Sequence, residues 1–138
     1  MGKHAIIVIK NHKNEYLQYY DEIWKSYLFL NCKIDNRHDI NKVEEKVQND
    51  LDIKLNKIEC IFKGKKKHKK FSESDKIEKE YEHYFFDVDL VDRPNTIEKD
   101  CFEIDNVKYK WFSYDDLQKD ARIQEVNRDI VSYVKEFE

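Results

Sequence analysis

Between Leu28 and Ile53 the chain reads LFLNCKIDNRHDINKVEEKVQNDLDI, and this stretch restricts the fold more than any other. A strand-like apolar segment gives way to a polar loop. Then Ile40, Val43, Val47 and Leu51 recur at the spacing of one helical face, so that face must be buried. Asp39, just ahead of Ile40, can offer its carboxylate to the first free backbone N–H groups of the helix. Glu44, Glu45, Lys46, Gln48, Asn49 and Asp50 cover the remaining faces, and an acidic turn follows.

The 138 residues suffice for one domain with a single hydrophobic core. The 26 basic and 29 acidic side chains nearly cancel, which argues against a protein that coats nucleic acid in bulk. Two glycines and one proline leave little material for a glycine-rich phosphate loop. The three cysteines, Cys32, Cys60 and Cys101, are far apart and form no CxxC pair. That pattern excludes a zinc ribbon or disulfide framework and fits a reducing, cytoplasmic setting. The early apolar run AIIVI is too short for a signal peptide or a membrane span.

Around the central stretch the chain is rich in strand patterns. Residues 4–10 read as a buried strand, 11–14 as a turn and 15–20 as the hairpin partner, with Trp24 in the polar loop that follows. Residues 27–34 and 57–62 are further strands. From Lys63 to Lys70 (KGKKKHKK) the chain carries six lysines and a histidine, and acids follow from Glu73 to Glu82. The pattern predicts an exposed hairpin arm with oppositely charged limbs. The run 81–90, YEHYFFDVDL, is aromatic and β-branched and reads as a strand. Residues 91–100 read as a loop, and 107–112 as the last strand. Ser113 can cap a short helix over 114–119. Ile123, Val126, Ile130, Val134 and Phe137 form the stripe of a terminal helix. The sum is a mixed α/β (α+β) domain.

With these elements in order, the chain resembles the Nudix (MutT-like) hydrolase family. Trp24 and LFLNC at 28–32 stand where the family has W-x-FPGG, Lys33 to Asp35 resembles its K-hydrophobic-acid, and WFSYDDL at 111–117 is similar to its late tryptophan-to-leucine turn. The resemblance implies an α/β/α sandwich, with a mixed sheet between the box helix and the C-terminal helix. The family's box helix ends in Arg-Glu-hydrophobic-x-Glu-Glu-x-Gly-hydrophobic, and with Ile53 as the last position this chain departs from it. Glu45 stands for the arginine, Lys46 for the next glutamate, Asn49 and Asp50 for the glutamate pair, and Asp52 for the glycine. At about 100° per residue, positions 46, 49 and 50 share one flank, where three carboxylates would cage Mg²⁺ against a diphosphate. Here that flank falls from about three negative charges to about zero, so no metal cofactor is expected unless hydrolysis survives around Asp50.

The resemblance therefore implies a diverged domain that recognises a nucleotide or nucleoside-diphosphate derivative, with magnesium-dependent hydrolysis weak or lost. The ligand contacts it suggests are Trp24, Tyr20 and Lys33, with Lys46 and Asn49 on the helix. Tyr19 and Tyr20 stand beside Trp24 as faces on which a base could stack, and Lys46 could clamp a phosphate in place of a metal. A working pyrophosphohydrolase is the alternative, with catalytic acids drawn from Asp50, Glu80 and Glu82. In a third reading the scaffold is a protein-interaction module, its interface the arm or the aromatic strand, open to a second copy of the chain. The lysine run could also grip RNA, with Phe62 and Phe71 available for stacking.

Overall fold

The computed structural model describes residues 2–54, 57–72, 75–91 and 93–138. Glu73 of the predicted acidic limb, Asp92 of the predicted loop and the Lys70 side chain lie outside the described residues. Seven strands form one sheet: β1 (Gly2–Val8), β2 (Tyr16–Asp21), β3 (Ser26–Lys33), β4 (Ile58–Ser72), β5 (Ile77–Leu90), β6 (Cys101–Ile104) and β7 (Val107–Phe112). Their order is β4-β5-β1-β3-β2-β7-β6. Only β1 and β5 pair in parallel, with His4 opposite His83, and the other pairs are antiparallel. β3 changes partner along its length: residues 30–33 pair with β1 and residues 26–29 with β2.

Strand alternation sorts the side chains into two cores. Ala5 and Ile7 of β1, and Ile9 just beyond it, face α1 (Ile40–Leu51), whose Val43, Val47 and Leu51 are buried beside Leu30, Phe86 and Trp111. Ile6 and Val8 face the opposite way, toward α3 (Ala121–Glu136), and pack with Phe29, Phe85, Ile123, Ile130 and Val134. Each large apolar side chain buried in this way contributes about 1.5–3 kcal/mol. The mixed sheet therefore lies between the two helices, as the resemblance implies.

Local chemistry sets the boundaries. α2 (Tyr114–Lys119) begins at Ser113, whose Oγ accepts from the Asp116 N–H at 3.1 Å, while the Asp116 carboxylate accepts from the Ser113 N–H at 3.3 Å. Asp120 caps α3 through the Ile123 N–H at 2.9 Å. The expectation for Asp39 is corrected. Its carboxylate makes no cap on α1 but turns back to accept from the backbone N–H groups of Asp35 (2.7 Å) and Asn36 (3.3 Å). Asp39 thus ties off the preceding loop. At the other end of α1, Asp52 takes the left-handed conformation (φ 54°) in which helices usually end on glycine.

The pattern over 57–70 is one continuous strand, because β4 runs through the lysines to Ser72. Strand β6 is absent from the sequence reading. Its hairpin to β7 turns on Asp105 and Asn106 (φ 50° and 67°), a pair that tolerates positive φ, which a two-residue hairpin turn demands. α3 is broken at Asn127 (φ −142°, ψ 20°). Its end is anchored by Glu138, which meets Lys10 at 2.6 Å and Lys135 at 3.0 Å and accepts from the Tyr16 hydroxyl.

Two measurements check this arrangement. Phe29→Ala and Leu30→Ala remove neighbours that point into opposite cores, and each should cost about 2–5 kcal/mol in urea denaturation. Ile61→Ala, at a side chain 61% exposed, should stay within about 0.5 kcal/mol, and a cost matching the core variants would contradict the two-core account. Burial raises the Glu138 pKa, but Lys10, Tyr16 and Lys135 outweigh it and hold the group down to about 2. Its folded value lies below the unfolded one, so its contribution is complete above about pH 4.5 and fades as pH falls toward 2. Glu138→Gln should flatten that part of the stability–pH curve, and an unchanged curve would show that the clamp does not form.

Candidate functional site

A cleft of about 720 Å³ opens on the α3 side of the sheet. Its apolar floor is Ile6, Phe29 and Ile130, and the break in α3 brings Asn127 to its wall. Trp24 stands at its margin, held there by local chemistry. The Asp21 carboxylate accepts from the Ile23 and Trp24 N–H groups, both at 2.9 Å, and Arg122 of α3 donates to the Trp24 carbonyl at 3.1 Å. Asn31 and Lys33 enter from the end of β3, His4 from β1, and Lys79, Glu80, Tyr81 and His83 from the arm. The His4 Nδ1 is buried and has no hydrogen-bond partner among the described residues. Burial, followed by the charges of Lys33 and Lys79, pushes the His4 pKa below its usual value, so the ring is neutral near pH 7.

Lys79 is paired with Asp75 at the cleft margin, so an aromatic wall, an apolar floor, amide and imidazole hydrogen-bonding groups and the Lys33 ammonium remain to suit a planar ligand carrying negative charge. Of the ligand contacts expected from sequence, Trp24 and Lys33 line this cleft. Tyr20 packs edge-on against Tyr27 instead, with ring centres 5.3 Å apart. His4, Asn31, Tyr81, His83 and Asn127 also line it, and sequence reasoning missed them as ligand contacts. Strand register could have brought His4 and His83 together, since they are partners across the β1–β5 pair, but Asn127 arrives through the break in α3.

Lys46, Asn49 and Asp50 lie elsewhere. They sit on α1, across the sheet from the cleft, and Lys46 Nζ meets the Asp50 carboxylate at 2.9 Å. Asp50 occupies the last turn of α1, where the helix dipole disfavours an anion and a nearby ammonium offsets that cost. The Asp50 carbonyl accepts from the Tyr109 hydroxyl at 3.4 Å; burial raises the pKa of Tyr109, with Asp50 next, and that of Tyr19, with Asp21 next and Asp50 adding less. One cation, one amide and one carboxylate that is already paired do not fit a hard divalent ion, which prefers several anionic oxygens. Among the described residues, no group of three or more His, Cys, Asp or Glu could hold a metal ion.

The two remaining acids stand two residues apart on one face of β5 but have different surroundings. Glu80 lines the cleft, whereas Glu82 is only 5% exposed and accepts from the Tyr84 hydroxyl at 2.8 Å with Lys65 at 3.1 Å. The Tyr84 hydrogen bond and then Lys65 hold the Glu82 carboxyl below its ordinary range, which makes it a poor proton acceptor. One link joins the two faces. The Asn31 amide donates to the Tyr19 hydroxyl at 3.2 Å, and Tyr19 packs on the α1-side core near Asp50.

Cys32 and Cys60, the cysteines nearest α1, are poor nucleophiles. Burial raises the Cys32 thiol despite Lys46 and Lys42, and burial pushes Cys60 up to about 12. Of the aromatic groups flanking the lysines, Phe62 is packed against Tyr84 and Phe86, which leaves Phe71 exposed. No helix among the described residues is long and apolar enough to cross a membrane.

No protein-family model matches the sequence, and no curated protein is similar to it at a significant level. Solved structures do match. A C. elegans Ap4A hydrolase is 14% identical with a TM-score of 0.62, over 99% of this chain and 96% of that one. The E. coli dihydroneopterin triphosphate pyrophosphohydrolase is 10% identical with a TM-score of 0.63, over 92% and 95%. A NUDIX hydrolase from Nitrosomonas europaea is 13% identical with a TM-score of 0.58, over 98% and 86%. The chain has the Nudix hydrolase fold. At these identities the likeness fixes the fold and leaves the chemistry to the residues themselves.

The burial of the thiols gives a direct check. In native protein a thiol reagent such as DTNB should titrate Cys101, which is exposed, fast, and Cys32 and Cys60 slowly. Cys101→Ser should abolish the fast phase. A fast phase that survives this substitution would mean a reactive cysteine beside α1.

Proposed function

We propose that this chain is a diverged Nudix-fold domain that recognises a nucleotide or nucleoside-diphosphate derivative in the Trp24 cleft, with magnesium-dependent hydrolysis weak or absent. One observation carries the second half of that reading. The only carboxylate on the Lys46–Asn49–Asp50 flank is paired at 2.9 Å with the flank's own ammonium, and the three side chains sum to zero charge. An exposed helical pair of this kind contributes only about 0.3–0.5 kcal/mol, so the pairing itself does not exclude a metal. The weak point is the shortage of anionic oxygens, since magnesium retains its waters unless several such ligands are offered.

The first half rests on the cleft. Trp24 offers a face to a base, Lys33 an ammonium to a phosphate, and Asn31 and neutral His4 hydrogen bonds to a heterocycle. The names of two structural neighbours, an Ap4A hydrolase and a dihydroneopterin triphosphate pyrophosphohydrolase, put polyphosphate esters among the compounds handled on this fold, which supports the same ligand class.

Thermal-shift titration with a panel of nucleotides and dinucleotides, in EDTA and in Mg²⁺ or Mn²⁺, tests both halves. Binding should raise the melting temperature equally with and without metal, with about 2.7 kcal/mol of stabilisation at a hundredfold excess over Kd. No nucleoside monophosphate or phosphate should be released. Trp24→Ala and Lys33→Ala should each weaken binding about tenfold. Loss of the shift in EDTA, or turnover with metal, would establish an active hydrolase instead. Full affinity in both cleft variants together with a loss in Lys46→Ala would move the ligand to the α1 flank.

A further inference from the structure

We infer that the outer edge of β4 is a docking site for an extended acidic segment of another protein, which joins the sheet as an eighth strand. β4 closes one end of the strand order, and among the described residues it pairs only with β5. Its other edge therefore presents backbone N–H and C=O groups that pair with no strand, and an extended peptide can complete them.

The side chains on this edge are not random. A bulge between Phe62 and Gly64 resets which face each following residue takes. Beyond it, Gly64, Lys66 and His68 turn toward α3, where they meet Phe137, Glu136 and Asp129. Lys65, Lys67, Lys69 and Phe71 turn to the other face, about 6.8 Å apart from one to the next. Lys65 is engaged with Glu82 at 3.1 Å. Lys67 and Lys69 form no ion pair among the described residues, and Phe71 is 53% exposed.

On the inner side these residues stand opposite the acids of β5, with Lys67 facing Glu82, Lys69 facing Glu80 and Phe71 facing Glu78. The charge pattern across the arm is thus acidic on β5 and basic on β4. A docked strand with acids at alternate positions continues that alternation. Its carboxylates lie one strand spacing, about 4.8 Å, from the lysines and about twice that from the β5 glutamates, where screening is substantial. The fitting pattern is two acids spaced by one residue, with an apolar side chain two positions beyond to meet Phe71.

The same arithmetic excludes a second copy of this chain, since two β4 edges laid together set lysines against lysines. Nucleic acid is the less complementary polyanion, because its phosphates leave the backbone N–H and C=O groups of the edge unmatched. Lys65, Lys67, Lys69 and Phe71 do not line the Trp24 cleft, so the interface stands whether or not the nucleotide reading holds.

The test uses the full chain and a fluorescent peptide whose positions on one face run glutamate, glutamate, valine, with valine at each position between. Fluorescence anisotropy should show binding that weakens with salt, and hydrogen exchange should show the peptide protecting alternate backbone amides of β4. Lys67→Glu combined with Lys69→Glu should weaken binding about tenfold or more while leaving the circular dichroism spectrum unchanged. Should that variant unfold, Lys67→Gln with Lys69→Gln and the exchange pattern of the unaltered protein serve the same purpose. Three results would overturn the proposal: no binding, equal binding of a peptide with its glutamates clustered and no β4 protection, or protection of the same amides by single-stranded RNA and not by the peptide.

Discussion

The two-faced burial of β1 is the constraint on which the rest of the molecule depends. Ala5 and Ile7, with Ile9 just beyond the strand, enter one core while Ile6 and Val8 enter the other, and β5 on one side and β3 on the other repeat the alternation. A shift of one residue would exchange every side chain between cores, so the register is held by apolar burial on both faces at once. That register places His4 beside His83 and Ala5 beside Cys32, and so decides which polar groups reach the cleft and which reach α1. The functional geometry is a by-product of this packing requirement.

Separation of the two faces has a chemical consequence. The α1 flank and the cleft are divided by the sheet and are connected through the Asn31–Tyr19 hydrogen bond. On the flank, an ammonium and a carboxylate one helical turn apart satisfy each other in a short, solvent-accessible pair. In the cleft, burial holds His4 neutral beside two ammonium groups. On the flank the charge is balanced, while the cleft keeps hydrogen-bonding groups and the Lys33 ammonium for a ligand, its Lys79 being paired with Asp75.

Opposite charges on β4 and β5 let a long hairpin extend beyond the part of β5 that β1 covers. Cross-strand pairs of this type contribute only about 0.2–1 kcal/mol each, so packing must supply the remainder. Gly64 shows where it does. The Phe137 ring lies so close to the backbone that a Cβ at this position would fall 2.2 Å from it. Together with the Glu138 contacts to β1 and β2, this seats the end of α3 firmly against the sheet.

Periodicity was enough to determine the strands, the two helical stripes and their assembly into a layered sheet, because burial of an apolar face depends on spacing along the chain. The helical face of Val43, Val47 and Leu51, the Ser113 cap and the opposed charges of the arm were all legible in this way. The four-residue β6 was too short to carry a periodic signal, and Asp39 had two sets of backbone donors within reach and took the upstream one. Even the neutral charge of the α1 flank could be read, since residues 46 and 50 are one turn apart on any helix. The cleft could not. Its walls come from residues as distant as His4, Trp24, His83 and Asn127, and only strand register, a turn pinned by Arg122 and a break in α3 bring them together. Local spacing sets which face a side chain takes, but which faces meet around a cavity is decided by the packing of the whole sheet.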